Sequence, residues 1–169
     1  MKFFFTLFLT INLFSFGQKR YDYFNSDVVE SKGLMLVSKG GEPLTGIVFG
    51  KYDNGQLQFE GSYMDGMKNG LHQRWYKNGQ PDNETHYKDN LLDGIKKCWN
   101  KKGQLTSEVE YKKGKQDGFE KLYYDNGKLW WEDYYKNGKK DGVSKHYSYE
   151  TGELISEDVY KNGKKVKNK

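Results

Sequence analysis

Residues 118–141 read GFEKLYYDNGKLWWEDYYKNGKKD, and this 24-residue pattern occurs five times along the chain. The copies align on an opening glycine that recurs every 24 residues, at Gly46, Gly70, Gly94, Gly118 and Gly142. A repeat of this length indicates an array of supersecondary units, in which each unit needs its neighbours to bury its apolar residues. We therefore expect an extended scaffold and not a pocketed enzyme.

Three further columns accompany the opening glycine in every copy. A second glycine follows nine residues later in the first four copies and ten residues later in the last, at Gly55, Gly79, Gly103, Gly127 and Gly152. A glutamate comes next, and a tyrosine follows it three residues later. The glutamates are Glu60, Glu84, Glu108, Glu132 and Glu157, and the tyrosines are Tyr63, Tyr87, Tyr111, Tyr135 and Tyr160. This spacing indicates that all five copies fold alike.

Asn-Gly pairs stand at the second glycine column in three copies, at Asn54-Gly55, Asn78-Gly79 and Asn126-Gly127, and predict that the repeat is a β-hairpin. Asn54-Gly55 favours a two-residue type I′ loop, because both positions of such a loop need a positive φ. That loop places Gly46 opposite Tyr63. In the next three copies it pairs Gly70 with Tyr87, Gly94 with Tyr111 and Gly118 with Tyr135. We expect each tyrosine ring to cover the bare glycine backbone on the neighbouring strand.

The glutamate column gives a second test of this register. In the first four copies the glutamates fall opposite Phe49, Gln73, Lys97 and Lys121, so two of the four pairs join opposite charges. The fifth copy has one extra residue, which a three-residue loop at Glu150-Thr151-Gly152 accommodates. With that loop Gly142 pairs with Tyr160, and Lys145 pairs with Glu157. A cross-strand ladder of charges explains this column without catalytic chemistry.

Short turns also separate consecutive copies, at Asp65-Gly66, Lys113-Gly114, Asn137-Gly138 and Asn162-Gly163. They let the second strand of each copy pair with the first strand of the next. We therefore predict an all-β fold, an elongated antiparallel β-hairpin repeat array whose ten strands form a single-sheet meander about 48 Å long, at about 4.8 Å per strand. Alternation places Ile47, Leu71, Ile95, Phe119 and Val143 on one face with Trp75, Trp99, Tyr123 and Tyr147, and the opening glycines and closing tyrosines on the other.

The chain divides into four segments by composition. Residues 1–17 are a signal segment, residues 18–45 a lead with a capping strand, residues 46–166 the five repeats, and residues 167–169 a basic tail. We predict a strand from Leu34 to Ser38 that caps the open edge of the first hairpin. Residues 18–30 are expected to be loose or helical.

The first 17 residues have the pattern of an export signal. Lys2 supplies a positive charge, residues 3–16 form a mostly apolar run, and Ser15 and Gly17 place small side chains before Gln18. An uncleaved membrane anchor is the alternative, although the run is short for a membrane-spanning helix. We predict an exported protein that is periplasmic, bound at the cell surface or extracellular.

Composition favours thin, charge-covered sheets over a thick core. Hydrophobic residues make up 35% of the chain and charged residues 30%, which would indicate disorder if the aromatic fraction were not 17%. Cys98 is the only cysteine, so an internal disulfide and a thiolate metal cluster within one chain are both excluded. The net charge of +5 keeps the chain soluble without specifying nucleic acid.

The residue types that carry catalysis or metal binding do not form a convergent set. His72, His86 and His146 occupy different columns of the repeat, so the array does not stack them. Cys98 has no repeated histidine to activate it. The glycines are spaced for turns and not for a phosphate-binding loop. We expect no catalytic residue, no metal site and no cofactor.

Aromatic side chains provide the best candidate for a binding surface. The candidates are Trp75, Trp99, Tyr123 and Tyr147, joined by Trp130, which the register places opposite Tyr123. The alternative is that they only cover the sheet, since cross-strand aromatic pairs stabilise such ribbons. As a binding surface they suit a protein most, with an envelope lipid or a glycan as alternatives. Nucleic acid is disfavoured because the protein is expected to be exported.

The pattern G-x-x-x-x-[WY]-[YN]-x-x-G-x-[LP]-x-x-E-x-x-Y, followed by a K-N-G or K-x-G turn, resembles the bacterial variant of the MORN repeat. The entry sequence Gly41-Glu42-Pro43-Leu44-Thr45-Gly46 resembles that of YwqK-type antitoxins. The resemblance covers roughly residues 34–166 and implies a β-hairpin array used for binding, with no shared catalytic residues. It also leaves open an antitoxin or immunity protein, although an exported protein cannot readily neutralise a toxin inside the producing cell.

Overall fold

The computed structural model of the protein describes residues 18–25, 27–37 and 40–166. These residues form strands and turns and contain no helix, which confirms the all-β prediction. It follows that none of them lies in a helix capable of crossing a membrane. The signal segment (residues 1–17) and the basic tail (residues 167–169) lie outside the described residues, so both stay predictions.

Thirteen strands form one sheet and two more form a separate hairpin. In chain order the strands are β1 (Arg20–Asp22), β2 (Val28–Ser31), β3 (Leu34–Val37), β4 (Gly46–Lys51), β5 (Leu57–Met64), β6 (Met67–Trp75), β7 (Pro81–Lys88), β8 (Leu91–Trp99), β9 (Leu105–Lys112), β10 (Lys115–Tyr123), β11 (Leu129–Lys136), β12 (Lys139–Lys140), β13 (Gly142–Tyr147), β14 (Leu154–Lys161) and β15 (Lys164–Lys165). The strands from β4 to β15 follow one another as an antiparallel meander, and β1 pairs with β4 at the first edge. The predicted meander is thus confirmed.

The hairpins pair in the register that the glycine and tyrosine columns predict. Gly46 lies opposite Tyr63, and every later opening glycine lies opposite the closing tyrosine of its own copy. The glutamate pairs are also confirmed, because Lys97 lies opposite Glu108 and Lys145 lies opposite Glu157. Two independent columns thus report one pairing.

The loops at the hairpin tips differ from the predicted type. Asn54 is not among the residues with a positive φ, and Gly55 alone of the predicted pair has one, at 83°. The amide of Gly55 donates to the carbonyl of Tyr52, and the amide of Tyr52 donates to the carbonyl of Gln56. This is a three-residue loop, and a β-bulge beyond it restores the register that a two-residue loop would have set.

The fifth tip follows the same rule with one residue more. The amide of Ser148 donates to the carbonyl of Glu153, and the amide of Gly152 donates back to the carbonyl of Ser148. The loop therefore contains the four residues 149–152, and the predicted three-residue loop is wrong. A bulge again follows, between His146 and Tyr147, and restores the pairing of Gly142 with Tyr160.

Type I′ loops occur in the turns between copies. Both loop residues have a positive φ at Asp65-Gly66, Lys113-Gly114, Asn137-Gly138 and Asn162-Gly163, and also at Asp89-Asn90. The amide of each second residue donates to a carbonyl just after the preceding turn, as from Gly114 to Leu92 and from Gly138 to Gln116, both at 2.8 Å. Aspartates add side-chain bonds, for example from the amide of Lys113 to Asp93 Oδ2 at 3.1 Å. Adjacent turns are thereby stacked on one edge of the array.

The tips are linked from copy to copy by side chains. The hydroxyl groups of Tyr52, Tyr76 and Tyr124 each donate to a main-chain carbonyl 23 residues ahead, at 2.7, 2.8 and 2.9 Å. The side-chain amides of Asn54, Asn78 and Asn126 make the equivalent bonds to carbonyls of the next tip. These bonds explain the [YN] column and the tip asparagines, because each copy satisfies polar groups of the next.

The opening glycines are needed for a reason other than ring shielding. Gly118 has a φ of 128°, in the region that side chains disfavour. It lies in a bulge, where β10 has two more residues than the facing segment of β9. A Cβ at Gly118 would come 2.8 Å from the Glu110 Cβ on the preceding strand. The glycine thus serves a bulge with a close neighbouring strand, and the cover by the tyrosine ring stays a prediction.

The lead segment is more ordered than predicted. Residues 18–30 include strands β1 and β2, so the expectation of a loose or helical stretch is wrong. The predicted strand at Leu34 is present but pairs with β2, and β1 caps the first hairpin by parallel pairing with β4. Val28, Met35, Leu44 and Val48 form a buried cluster beneath this cap. These short strands are stabilised by tertiary packing, which local sequence pattern does not reveal.

Candidate functional site

The sheet presents two faces of different character. The tyrosine face carries the closing tyrosines Tyr63, Tyr87, Tyr111, Tyr135 and Tyr160. The apolar face carries Ile47, Leu71, Ile95, Phe119 and Val143. Regular pairing within each hairpin confirms the predicted division of these residues between the two faces. The central row of the tyrosine face is buried, including Val48, Gly61, Thr85, Val109, Asp133 and Ser144.

The apolar face exposes a row of hydrophobic side chains, which Glu110 interrupts on β9. The row consists of Ile95, Phe119, Tyr134, Val143 and Val159, each between 37% and 43% exposed. Phe119 and Tyr134 pack edge to face with ring centroids 5.1 Å apart, and Lys121 Nζ lies 5.6 Å above the Phe119 ring. A shallow depression of about 700 Å³ lies along Ile95, Phe119 and Tyr134. Exposed apolar patches of this kind mark interaction sites.

The glutamate column borders this row as a charge ladder. Lys97 Nζ lies 3.2 Å from Glu108, and Glu132 is shared between Lys121 at 3.8 Å and Lys145 at 3.6 Å. Lys145 lies opposite both Glu157 and Glu132, and its ion pair is with Glu132 on the neighbouring hairpin. Opposite charges on neighbouring strands stabilise their pairing.

Glu108 also accepts a hydrogen bond from the Tyr123 hydroxyl group at 2.8 Å. Burial alone would raise the pKa of Glu108, but the bonds from Tyr123 and Lys97 outweigh it and lower that pKa. Burial and the same bond raise the pKa of Tyr123 to about 12. Both side chains therefore hold fixed charge states at neutral pH.

The structure does not bring the five predicted aromatic residues into one surface. Trp75, Trp99, Tyr123 and Tyr147 are half-buried near the hairpin tips on the apolar face, whereas Trp130 is exposed. Leu129 lies opposite Tyr123, and Trp130 is the extra residue of the adjacent bulge, so the predicted pairing of Trp130 with Tyr123 is wrong.

Trp130 instead belongs to the tyrosine face. Its Nε1 donates to His146 Nε2 at 3.2 Å, and the His146 ring stacks on Trp131 with centroids 5.0 Å apart. Because the two residues at such a bulge can point to the same side, Trp130 and Trp131 both contact one histidine. The candidate surface on the apolar face therefore centres on the row Ile95, Phe119, Tyr134, Val143 and Val159.

In its C-terminal half the tyrosine face is neutralised by its own side chains. Lys140 Nζ lies 2.7 Å from Asp133 Oδ2, and the Asp133 side chain is only 3% exposed. The same ammonium group lies 5.5 Å from the Trp131 ring, 6.0 Å from Tyr135 and 5.4 Å from Tyr160. Rings and a carboxylate together hold this lysine in place.

In its N-terminal half the same face contains an open pocket of about 390 Å³. His72 stands at its centre between Tyr63 and Tyr87, with both ring centroids 5.0 Å from the imidazole. Its Nε2 donates to the carbonyl of Ser62 at 2.8 Å in the tautomer that this bond requires. Burial lowers the pKa of His72 to about 4, so its ring is neutral at pH 7.

Basic side chains line this pocket. Lys68, Arg74 and Lys96 all contribute to its wall, and Lys68 Nζ lies 5.1 Å from the Tyr87 centroid. Sequence reasoning did not single out these three residues. They belong to different columns, and only the alignment of Gly61, His72, Thr85 and Lys96 across adjacent strands reveals that they meet.

Among the described residues no group of three or more potential metal ligands converges. His72 and His146 lie at opposite ends of the tyrosine face, and His86 Nδ1 is hydrogen-bonded to the carbonyl of Ile95 at 3.0 Å. Cys98 is a free thiol that lines the basic pocket.

Comparison with protein families identifies a repeat family. A family model described as MORN repeat variant matches four consecutive stretches, residues 44–65, 68–89, 92–113 and 116–137. The matched stretches coincide with the first four hairpins and their connecting turns. No curated protein matches the chain.

Proposed function

Because the chain belongs to the MORN repeat variant family, we propose that it is an exported, non-enzymatic repeat scaffold that binds a partner protein through the apolar face of its sheet. The exposed row from Ile95 to Val159 is the observation that carries this proposal. The row crosses strands β8 to β14, roughly 24 Å at about 4.8 Å per strand. Such a long, shallow surface suits a protein better than a small molecule, which favours an enclosed pocket.

Charge around the row supports a polar rim. Lys97, Lys121 and Lys145 line its border, and each is already paired with a glutamate. When a partner protein covers this rim, each lysine can keep its glutamate or pair with a carboxylate of the partner, so no lysine is left buried and unpaired. Half-buried Trp99 and Tyr123 continue the same face toward the tips and can extend the contact.

Export and the antitoxin role are the finer parts of the proposal. The signal pattern of residues 1–17 supports export, and N-terminal sequencing of protein recovered outside the cytoplasm would test it. The YwqK-type resemblance supports an antitoxin or immunity role only as an alternative. Growth rescue from a toxic neighbouring gene would favour that alternative, and absence of rescue would count against it.

A pull-down from the envelope fraction tests the partner surface. The wild type should capture a protein that the double variant Phe119→Lys/Val143→Lys does not capture, because two charges interrupt the apolar row. Val29→Lys is a matched control, since Val29 is 46% exposed but lies in the separate N-terminal hairpin. Equal capture by all three proteins would contradict the proposal. Retention of the wild type only on liposomes or a glycan array would assign the face to lipid or carbohydrate instead.

A further inference from the structure

On the tyrosine face, one lysine lacks the carboxylate that pairs with the equivalent lysines of later copies. The residues opposite the closing tyrosines across the turns between copies are Lys68, Leu92, Gln116, Lys140 and Lys165. Two positions before those tyrosines stand Gly61, Thr85, Val109, Asp133 and Asp158. Lys140 pairs with Asp133 at 2.7 Å, and Lys165 pairs with Asp158 at 2.6 Å. For Lys68 the equivalent residue is Gly61, which has no side chain.

Lys68 and Lys140 share one aromatic neighbour, the closing tyrosine of the following copy. Lys68 Nζ lies 5.1 Å from the Tyr87 ring, as Lys140 Nζ lies 5.4 Å from Tyr160. The His72 ring occupies the space beside Gly61, because a Cβ built there would overlap its atoms. The N-terminal half of the face thus keeps the aromatic platform for an ammonium group and lacks the anion.

Two more cations reinforce this imbalance. Lys96 and Arg74 line the same pocket as Lys68, and within the described parts of the chain none of the three has a carboxylate oxygen within 4.0 Å. Glu60 also lines the pocket, but it is bonded to Arg20 at 2.5 Å. His72 is neutral at pH 7 and adds no charge of its own. Three cations around one open cavity favour an anion.

We propose that the pocket between Tyr63, Tyr87 and Lys96 is a binding site for a small molecule that bears a carboxylate or phosphate group. The anionic group lies beside the His72 ring, between Lys68 and Lys96, with Arg74 at the rim. The uncharged part of the ligand packs against Tyr63 and Tyr87. The volume of about 390 Å³ lies within the range of small-molecule sites.

Three probes built on the same sugar ring test the site in the full-length protein. Glucuronate carries a carboxylate, glucose 6-phosphate carries a phosphate, and glucose is the neutral reference. Each probe is titrated into the protein, and binding is followed by ¹H–¹⁵N chemical shifts. At least one anionic probe should shift the amide signals of Thr85 and Lys96, whereas glucose at the same concentration should shift neither signal. The anionic probe that binds more tightly shows whether the site prefers a carboxylate or a phosphate group.

Variants separate a specific site from general attraction. Lys68→Gln and Lys96→Gln should each weaken binding about tenfold or more, since a hydrogen bond to a charged group is lost. Lys121→Gln removes the same charge from the opposite face and should leave binding unchanged. Equal weakening by all three variants, or no shift with either anion, overturns the proposal.

A transplant of the C-terminal arrangement gives a second test. The double variant Gly61→Asp/His72→Ser reproduces Asp133 and Ser144, which occupy the equivalent positions three copies later. The new carboxylate should pair with Lys68 and abolish binding of the anion. Undiminished binding in a variant with an unchanged fold would overturn the proposal. Because this site and the partner surface lie on opposite faces, either proposal can fail alone.

Discussion

The two halves of the tyrosine face share one backbone and differ in how their lysines are satisfied. In the C-terminal half, Lys140 is held by Asp133 and by aromatic rings. In the N-terminal half, Lys68 has an aromatic ring beside it, the His72 ring where the carboxylate would be, and an open pocket next to both. The difference shows that a repeat array can keep its strand register while single side chains determine which part of a face is filled and which part has a pocket. Four predictions test this comparison.

The largest effect is expected from removing the two equivalent lysines. Lys140→Met leaves the Asp133 side chain, 3% exposed, without a counterion, so the free energy of unfolding at pH 7 should fall by about 3 kcal/mol. Lys68→Met removes no ion pair and should change it by about 0.5 kcal/mol or less. Urea denaturation followed by tryptophan fluorescence measures both. Equal losses would break the comparison.

The next effect is a pH dependence confined to the N-terminal half. The pKa of His72 is lowered to about 4 in the folded protein, against 6.5 for a free side chain, so the unfolded chain binds more protons between these values. Stability is therefore full above pH 6.5 and is lost as the pH falls from 6.5 towards 4. Between pH 7.5 and 4.5 this residue should account for a loss on the order of 2 to 3 kcal/mol.

His72→Gln is the matched variant for that test. A glutamine can still donate to the carbonyl of Ser62 but does not titrate. Urea midpoints of the two proteins should converge as the pH is lowered. If both proteins lose the same stability between pH 7.5 and 4.5, His72 is not buried as described.

Glycine substitutions test whether the backbone is shared by both halves. Gly118→Ala forces a side chain onto a φ of 128° and against Glu110, and should cost about 2 kcal/mol. Gly70→Ala has a φ of 95° and a nearest contact of 3.4 Å with the Ser62 Cβ, so about 1 kcal/mol is expected. Thermal melting measures both losses. A neutral result at either glycine would show that its bulge is not required.

The smallest effect is expected on the opposite face. Lys121 is 38% exposed at its side chain and lies 3.8 Å from Glu132, so Lys121→Gln should cost about 0.5 kcal/mol or less. The same variant should leave both halves of the tyrosine face unaltered by NMR. Chemical-shift changes that reach Lys68 or Lys140 would show that the two faces are coupled, so the two halves of the tyrosine face could not be compared independently of the apolar face.

Most of the fold could be predicted because several repeat columns independently require the same pairing register between the strands of each hairpin. The pairs Gly118–Tyr135 and Lys121–Glu132 lie on the same two strands, so a slip by one residue would break both. Turn types were less predictable, since Asn-Gly fits both a type I′ loop and a three-residue loop with a bulge. In the tips Asn54 bonds to the carbonyl of Lys77 in the next copy, which sequence within one copy cannot reveal.

The candidate sites were harder to predict than the fold. Each bulge shifts a side chain by one position, which moved Trp130 away from Tyr123 and onto the tyrosine face. The basic pocket depends on what is missing at Gly61, and its lysines come from different columns. An absent carboxylate becomes visible only when Lys68 is compared with Lys140 in three dimensions. The repeat pattern therefore predicts the frame, while departures from it create the sites.

The most direct measurement is a double-mutant cycle on Asp133 and Lys140, using Asp133→Asn and Lys140→Met alone and together. If the C-terminal half is neutralised by this pair, the two side chains should be coupled by about 2 kcal/mol or more in the free energy of unfolding. A coupling below about 0.5 kcal/mol, as for an exposed ion pair, would contradict the account. The contrast with the open pocket around Lys68 would then have no physical basis.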